Sequence, residues 1–286
     1  MMIDKQLLRK RFSENARTYD QYAKVQKKMA NQLMGSIPKS DEAIEILEIG
    51  CGSGYLTQLL CNAFPNARLT AVDLSPGMIE VAKKRVFEER ITFLCGDIEE
   101  MKISRNFDII ISNATFQWLN HPQKVIEKLY KLLKKEGILS FSTFGKQTFQ
   151  ELHASYKIAK ERLQIENNSS PGQKFYSIED LIGFCKSTLP LFNELLVEQF
   201  YEREYFQGVR EFFTSVRKIG ANNSNKANSI QRPSFFKELI NQYETNYRDE
   251  KGVIATYECL FLTILKKDQR QDQQEPYNRE YQKVSR

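Results

Sequence analysis

Gly50, Gly52 and Gly54 follow a short apolar run that starts at Ile44 and carries Glu48 two residues before the first glycine. Glycine has no Cβ, so such a turn lets the backbone bend tightly and a ligand approach it closely. A dinucleotide fingerprint needs its third glycine one residue later, where the chain has Tyr55. Two more acids follow the next apolar runs. Asp73 closes Leu69-Thr-Ala-Val-Asp73, about the separation at which an acid accepts hydrogen bonds from ribose hydroxyls, and Asp97 follows Ile91-Thr-Phe-Leu94. Each acid alone reads equally well as a helix cap or turn former. Together they put carboxylates at three consecutive strand ends. S-adenosylmethionine carries a sulfonium, an α-ammonium and a carboxylate but no phosphate, so an acid-rich pocket suits it better than a P-loop would.

These residues need elements to hold them. Ile44–Ile49, Leu69–Asp73, Ile91–Leu94, Asp108–Ser112 and Ile138–Ser142 read as buried strands, with helices at Met78–Glu88 and Gln123–Lys135. This alternation predicts a Rossmann-like α/β domain, a mostly parallel sheet covered by helices on both faces. Residues 4–35 show apolar positions at helical spacing (Leu7, Leu8, Phe12, Tyr19, Tyr22, Val25, Met29, Leu33) and predict one helix. After Gly145 the rhythm changes: mostly helix over 147–190, strand at Leu196–Phe206, helices Val209–Ile219 and Pro233–Tyr247 around a polar loop at Ala221–Ser229, and strand at Ala255–Leu265. The expected division is an N-terminal helical cover at 1–40, the cofactor-binding core at 41–146, a helical lid with the last two strands at 147–267, and a disordered tail at 268–286.

Composition narrows the classes further. With 41% hydrophobic and 27% charged residues the chain reads as an ordinary soluble globular protein. Its five cysteines are scattered without a CxxC pair and its histidines number two, so neither a disulfide framework nor a metal site is expected. No signal peptide or apolar span is evident, which predicts a cytoplasmic location. The net charge of +6 suits an acidic protein partner or RNA, although no aromatic-basic RNA module is recognisable.

Glu48–Gly54, Asp73, Asp97-Ile98 and Asn113 resemble the successive motifs of class I S-adenosylmethionine-dependent methyltransferases. Phe12-Ser13, Thr18-Tyr19-Asp20, Gln26, Ser112–Trp118, Ser142–Gly145, Glu151-Leu152 and Lys218–Ala221 further resemble the malonyl-acyl carrier protein O-methyltransferases of biotin synthesis, up to about residue 265. The resemblance implies a seven-stranded sheet with an antiparallel last strand. It places Glu48 near the methionine end of the cofactor, Gly50, Cys51, Gly52 and Gly54 in the glycine turn, Asp73 and Leu74 at the ribose, and Asp97 and Ile98 at the adenine. It adds Asn113 to the cofactor site and Phe144 to the substrate side. The implied reaction converts the malonyl carboxylate to its methyl ester and leaves S-adenosylhomocysteine. A carboxylate is already ionised at neutral pH, so transfer to it needs alignment and no general base. Good alignment is worth roughly 7–11 kcal/mol.

Tyr19 and Gln117 are the catalytic candidates. Tyr19 reads either as a hydroxyl that contacts cofactor or substrate or as a core aromatic, and Trp118 as substrate wall or plain packing. Arg217 is the first choice to fork the malonyl carboxylate, with Arg203 and Arg210 in reserve, against the alternative of a solvated helix face. The acidic carrier protein is the expected partner, with no nucleic acid and no membrane, and the chain is expected to be a monomer. Two other readings stay open: a methyltransferase for a free small acid or tRNA, and a cofactor-binding assembly factor that transfers no methyl group.

Overall fold

The computed structural model describes residues 2–167, 170–189, 194–220 and 232–267. The polar loop expected at Ala221–Ser229 and the tail at 268–286 lie outside the described residues. Five strands, β1 (Glu45–Ile49), β2 (Arg68–Asp73), β3 (Ile91–Cys95), β4 (Phe107–Ser112) and β5 (Leu133–Phe144), run parallel. β6 (Glu194–Phe206) and β8 (Gly252–Leu265) complete the sheet, with β8 antiparallel to both β5 and β6. The order is β3-β2-β1-β4-β5-β8-β6, and the two-residue β7 (Arg248–Asp249) pairs with β8. That small ribbon turns at Glu250 and Lys251, with Gly252 at φ +125 opening β8, and brings the described strands to eight, one more than the seven expected. The order reverses between β2-β1 and β4-β5, which opens a crevice at the carboxyl end of β1.

Alternate residues of β1 feed two cores. Ile46 packs with α3 (Lys24–Gly35) and α4 (Tyr55–Ala63) on one face. Leu47 and Ile49 pack with α6 (Pro122–Leu132) and α8 (Ile178–Thr188) on the other. Local signals agree with the elements. The α5 helix (Pro76–Arg85) has the Ser75 hydroxyl accepting the Met78 N–H, proline in its first turn, and Lys83, Lys84 and Arg85 in its last. A reciprocal Ser177–Asp180 cap opens α8.

The single helix expected over 4–35 is three helices: α1 (Lys5–Asn15), α2 (Tyr19–Tyr22) and α3. The Ser13 and Asn15 side chains donate to the carbonyls of Arg9 and Arg11, and the Thr18 hydroxyl donates to Asn15, so side chains compete with the helical ladder where the chain turns. The helix expected at Gln123–Lys135 stops at Leu132, because Leu133 enters β5 opposite Phe107 and both are buried there. Of the expected lid, α7 (Gln150–Arg162), α9 (Val209–Lys218) and α10 (Pro233–Asn246) share one core, whereas α8 packs against α6 on the opposite face. Among the described residues no helix is long and apolar enough to cross a membrane, and no group of three His, Cys, Asp or Glu side chains is placed to hold a metal ion.

Candidate active site

A cavity of about 660 Å³ opens over the carboxyl ends of β1 to β4, within the range that holds a small cofactor and its substrate. One half is built by the glycine turn. Gly50 stands at φ +71, and a Cβ there would lie 2.0 Å from the Thr115 hydroxyl oxygen. Gly54 stands at φ +81, where a Cβ would lie 2.9 Å from Ala82 Cα, so this glycine lets α4 meet α5. Gly52 differs: at φ +53 the place of its Cβ is empty, and the residue lines the cavity. Apart from the glycine and its chain neighbours, no protein atom lies within 4 Å of where that Cβ would stand.

The acids hold preset hydrogen bonds around this turn. Asp73 accepts the Gly52 N–H at 2.9 Å and the Ser75 N–H at 2.8 Å. Burial pushes its carboxyl up to about 6, against the lowering effect of those two bonds. Glu48 is buried on β1 beneath the wall, where its Oε2 accepts the Thr57 hydroxyl at 2.6 Å. Its Oε1 has no hydrogen-bond partner, and burial raises the carboxyl to about 8. A buried carboxyl with one unsatisfied oxygen, held protonated by its burial, would give up its proton to a ligand that brings positive charge close to it. Asp97 lines the cavity and receives Lys5 Nζ at 3.3 Å, and Lys5 also reaches Glu99 at 2.5 Å. Burial raises the Glu99 carboxyl, but the hydrogen bonds from Lys5 and the Asn120 N–H outweigh it and leave the group below its ordinary value.

The N-terminal segment closes this half from above. Phe12 stands edge-on to Trp118 at 5.6 Å and to Tyr19 at 6.4 Å, and all three rings line the cavity. The Tyr19 hydroxyl has no hydrogen-bond partner among the described residues, and burial followed by the charges of Asp73 and Asp20 keeps it protonated. Its neighbour Asp20 accepts the Ser53 hydroxyl at 2.6 Å and pairs with Arg85, so one carboxylate ties α2 to the glycine turn and to α5. Ser13 meets the Ser75 hydroxyl at 2.8 Å, and Gly77 lets α1 lie against α5.

The other half is an aromatic chamber. Phe144, Phe149, Phe175, Phe212, Phe213 and Tyr257 line it. Phe149 holds φ +60, rare for so bulky a residue, and is kept there by its N–H on the Thr256 carbonyl at 2.7 Å and by ring contacts with Phe212 and Tyr257. Arg217 lines this end and has no carboxylate partner among the described residues. His153 also lines the cavity, and burial lowers its pKa.

Of the residues singled out in the sequence, Tyr19, Gly50, Gly52, Asp73, Leu74, Asp97, Ile98, Asn113, Gln117, Trp118, Phe144 and Arg217 meet at this one cavity. Five do not reach its wall. The two reserve arginines, Arg203 on β6 and Arg210 on α9, are exposed outside it. Glu48 lies behind it, Gly54 serves helix packing, and Cys51 is buried with Ala71, Ile79 and Ala82. Asn113 and Gln117 are tied to the protein. The Asn113 amide donates to the Gln26 carbonyl at 3.0 Å and accepts the Ser142 hydroxyl at 2.7 Å. The Gln117 amide donates to the Ala114 carbonyl at 2.6 Å and accepts the Thr143 hydroxyl at 2.9 Å. Lys5, Phe149, His153, Phe175, Phe212 and Phe213 line the cavity without having been singled out. Nothing local distinguishes them, since a ring on a core face and a ring on a cavity wall share the same spacing.

A methyltransferase-domain family matches residues 47–141. A solved structure named YcgJ protein, from Bacillus subtilis, shares the fold at a TM-score of 0.58 and 12% identity, covering 84% of this chain and 99% of that one. Phosphoethanolamine N-methyltransferase 2 of Haemonchus contortus, solved in complex with S-adenosyl-L-methionine, shares it at a TM-score of 0.53 and 17% identity, covering 90% of this chain and 57% of that one. The malonyl-[acyl-carrier protein] O-methyltransferase of Priestia megaterium is 56% identical over 94% of this chain and all of its own length. The enzyme of that name from Acetivibrio thermocellus is 46% identical over 93% of this chain and 95% of its own. With likeness of that depth over nearly the whole length, the chain belongs to the malonyl-[acyl-carrier protein] O-methyltransferase family.

Proposed function

We propose that this protein methylates the free carboxylate of a malonyl group held as a thioester on acyl carrier protein, forming the methyl ester that primes pimeloyl synthesis for biotin. The observation that carries the proposal is one continuous cavity. It joins the carboxylates at the strand tips to an aromatic chamber whose arginine, Arg217, has no partner among the described residues. S-adenosylmethionine, when bound, supplies the methyl group and leaves as S-adenosylhomocysteine. Asp73 would accept from the ribose hydroxyls with its remaining lone pairs, Asp97 and Ile98 would hold the adenine end, and Glu48, once ionised, would balance the positive methionine end from behind the wall. The open side of Gly52 would let the cofactor approach the turn closely.

On the other side Arg217 would fork the malonyl carboxylate and hold it facing the cofactor half of the cavity. Tyr19 covers the reacting centre with its ring, excludes water and offers a hydroxyl hydrogen. The attacking oxygen is already anionic, so the chain's task is alignment and desolvation, and the phenyl rings around Phe149 keep the thioester arm dry. Gln117 acts through the loop it holds. The work is done in the cytoplasm, on a protein-bound substrate.

The test offers malonyl-acyl carrier protein, malonyl-CoA, free malonate and tRNA to the purified protein with methyl-labelled cofactor. A base-labile methyl ester on the malonyl carrier supports the reading. Labelled tRNA or labelled free malonate, with the thioesters untouched, overturns it.

A further inference from the structure

Outside the cavity mouth, α9 and α10 lie side by side and each turns a matching stripe outward. Arg210, Phe213, Thr214 and Arg217 recur at three, four and seven residues along α9. Pro233, Phe236, Lys237 and Ile240 do the same along α10. The opposite faces of both helices are the buried ones, through Val209, Phe212 and Ser215 and through Phe235, Leu239, Gln242 and Tyr243. Between the stripes runs a groove of about 830 Å³ with Phe213, Phe236 and Ile240 as its floor. Phe236 is 44% exposed. Phe213, Arg217 and Phe236 line both groove and cavity, so one leads into the other.

The charged residues that line this groove are all cations. Arg210, Arg217 and Lys237 have no carboxylate partner among the described residues. The two acids of α10 pair away from the groove: Arg162 meets Glu238 at 3.2 Å, and Arg248 meets Glu244 at 2.5 Å. An apolar floor with a one-signed, unneutralised rim is a surface arranged for an anionic partner.

We propose that the α9–α10 groove is the docking surface for the acidic face of the carrier protein, with Arg210 and Lys237 engaging its carboxylates while the thioester arm passes over Phe213 and Phe236 into the cavity. The inference rests on the proposed methylation of a carrier-bound malonyl group and adds where the carrier sits. Arg210 and Lys237 stand outside the cavity, so their part is steering and docking.

The test compares Arg210→Glu, Lys237→Glu and the double variant with the unaltered protein. Each is given malonyl-acyl carrier protein or malonyl-pantetheine, which has neither carrier nor phosphate, at low and high salt. The expected result is a KM for the carrier substrate raised on the order of tenfold in the double variant at low salt, shrinking at high salt, as screening of steering charges requires. The KM for malonyl-pantetheine stays put. Equal effects on both substrates, or none on either, overturn the groove. If the reversed charges impair folding, Arg210→Gln with Lys237→Gln gives the same comparison with a smaller rise. Unaltered protein that methylates neither substrate contradicts the proposed reaction itself, whereas an active protein with insensitive variants contradicts only the groove.

Discussion

Gly52 and Gly54 stand two residues apart and do different work, which substitution separates. Alanine at 52 meets open space and costs about 1–2 kcal/mol of left-handed strain, so the variant folds and loses cofactor affinity. Alanine at 54 adds a clash with the Ala82 backbone to the same strain, so its melting temperature falls well below that of Gly52→Ala. Calorimetry and thermal melts on both variants check the contrast. Glu48 carries a pH signature. Its carboxyl stands at about 8 in the folded protein against 4.5 ordinarily, so the native state holds the proton more tightly. Stability of the ligand-free protein therefore falls as pH rises from 4.5 through about 8, with Asp73 adding in the same direction up to about 6. Glu48→Gln keeps the Thr57 bond, flattens most of that slope and leaves the variant the more stable protein above pH 8, as melts across the pH range will show. Arg217→Ala should raise the KM for the malonyl substrate roughly tenfold or more, as loss of a charged hydrogen bond implies, with cofactor affinity unchanged. The sequence made the glycine turn and both later acids readable because they are local. It did not reveal that Glu48 is sealed behind the wall or that Arg217 lacks a partner, since both depend on what distant elements place opposite them.

Helices and strands show the same division between local and distant. The β-α alternation and the positions of β1 to β5 follow from apolar runs and caps, and the structure keeps them to within a few residues. The N-terminal cover was the harder element. Its apolar positions fit one continuous helix, yet Leu8 faces the cavity while Met29 and Leu33 enter the core, so the chain must bend between them. Asp20 holds the result by joining α2 to Ser53 and Arg85. Asp20→Asn keeps the shape but removes the charge, and should cost about 1 kcal/mol of cofactor binding, roughly fivefold in cofactor KM. The diagnostic readout is the split: cofactor KM rises while kcat at saturation changes little. A drop in kcat alone would mean that Asp20 does not act by holding the cover over the cofactor.

At the scale of the whole molecule, the sheet's switch point sets the cavity. The N-terminal helices and α7, α9 and α10 then close it from two sides. The aromatic chamber draws on β5, α7, α9, β8 and the stretch before α8, and such a long-range assembly leaves no spacing in the chain to read. The central claim is that carboxylates at neighbouring strand tips bind the methyl donor through its ribose and its positive end. The most direct test is a calorimetric titration of the purified protein and of Asp73→Ala with S-adenosylhomocysteine. The account predicts one site in the unaltered protein and an affinity at least about tenfold weaker in the variant, from the loss of charge-assisted hydrogen bonds. Equal affinity in the two proteins, or no binding by the unaltered one, would contradict it.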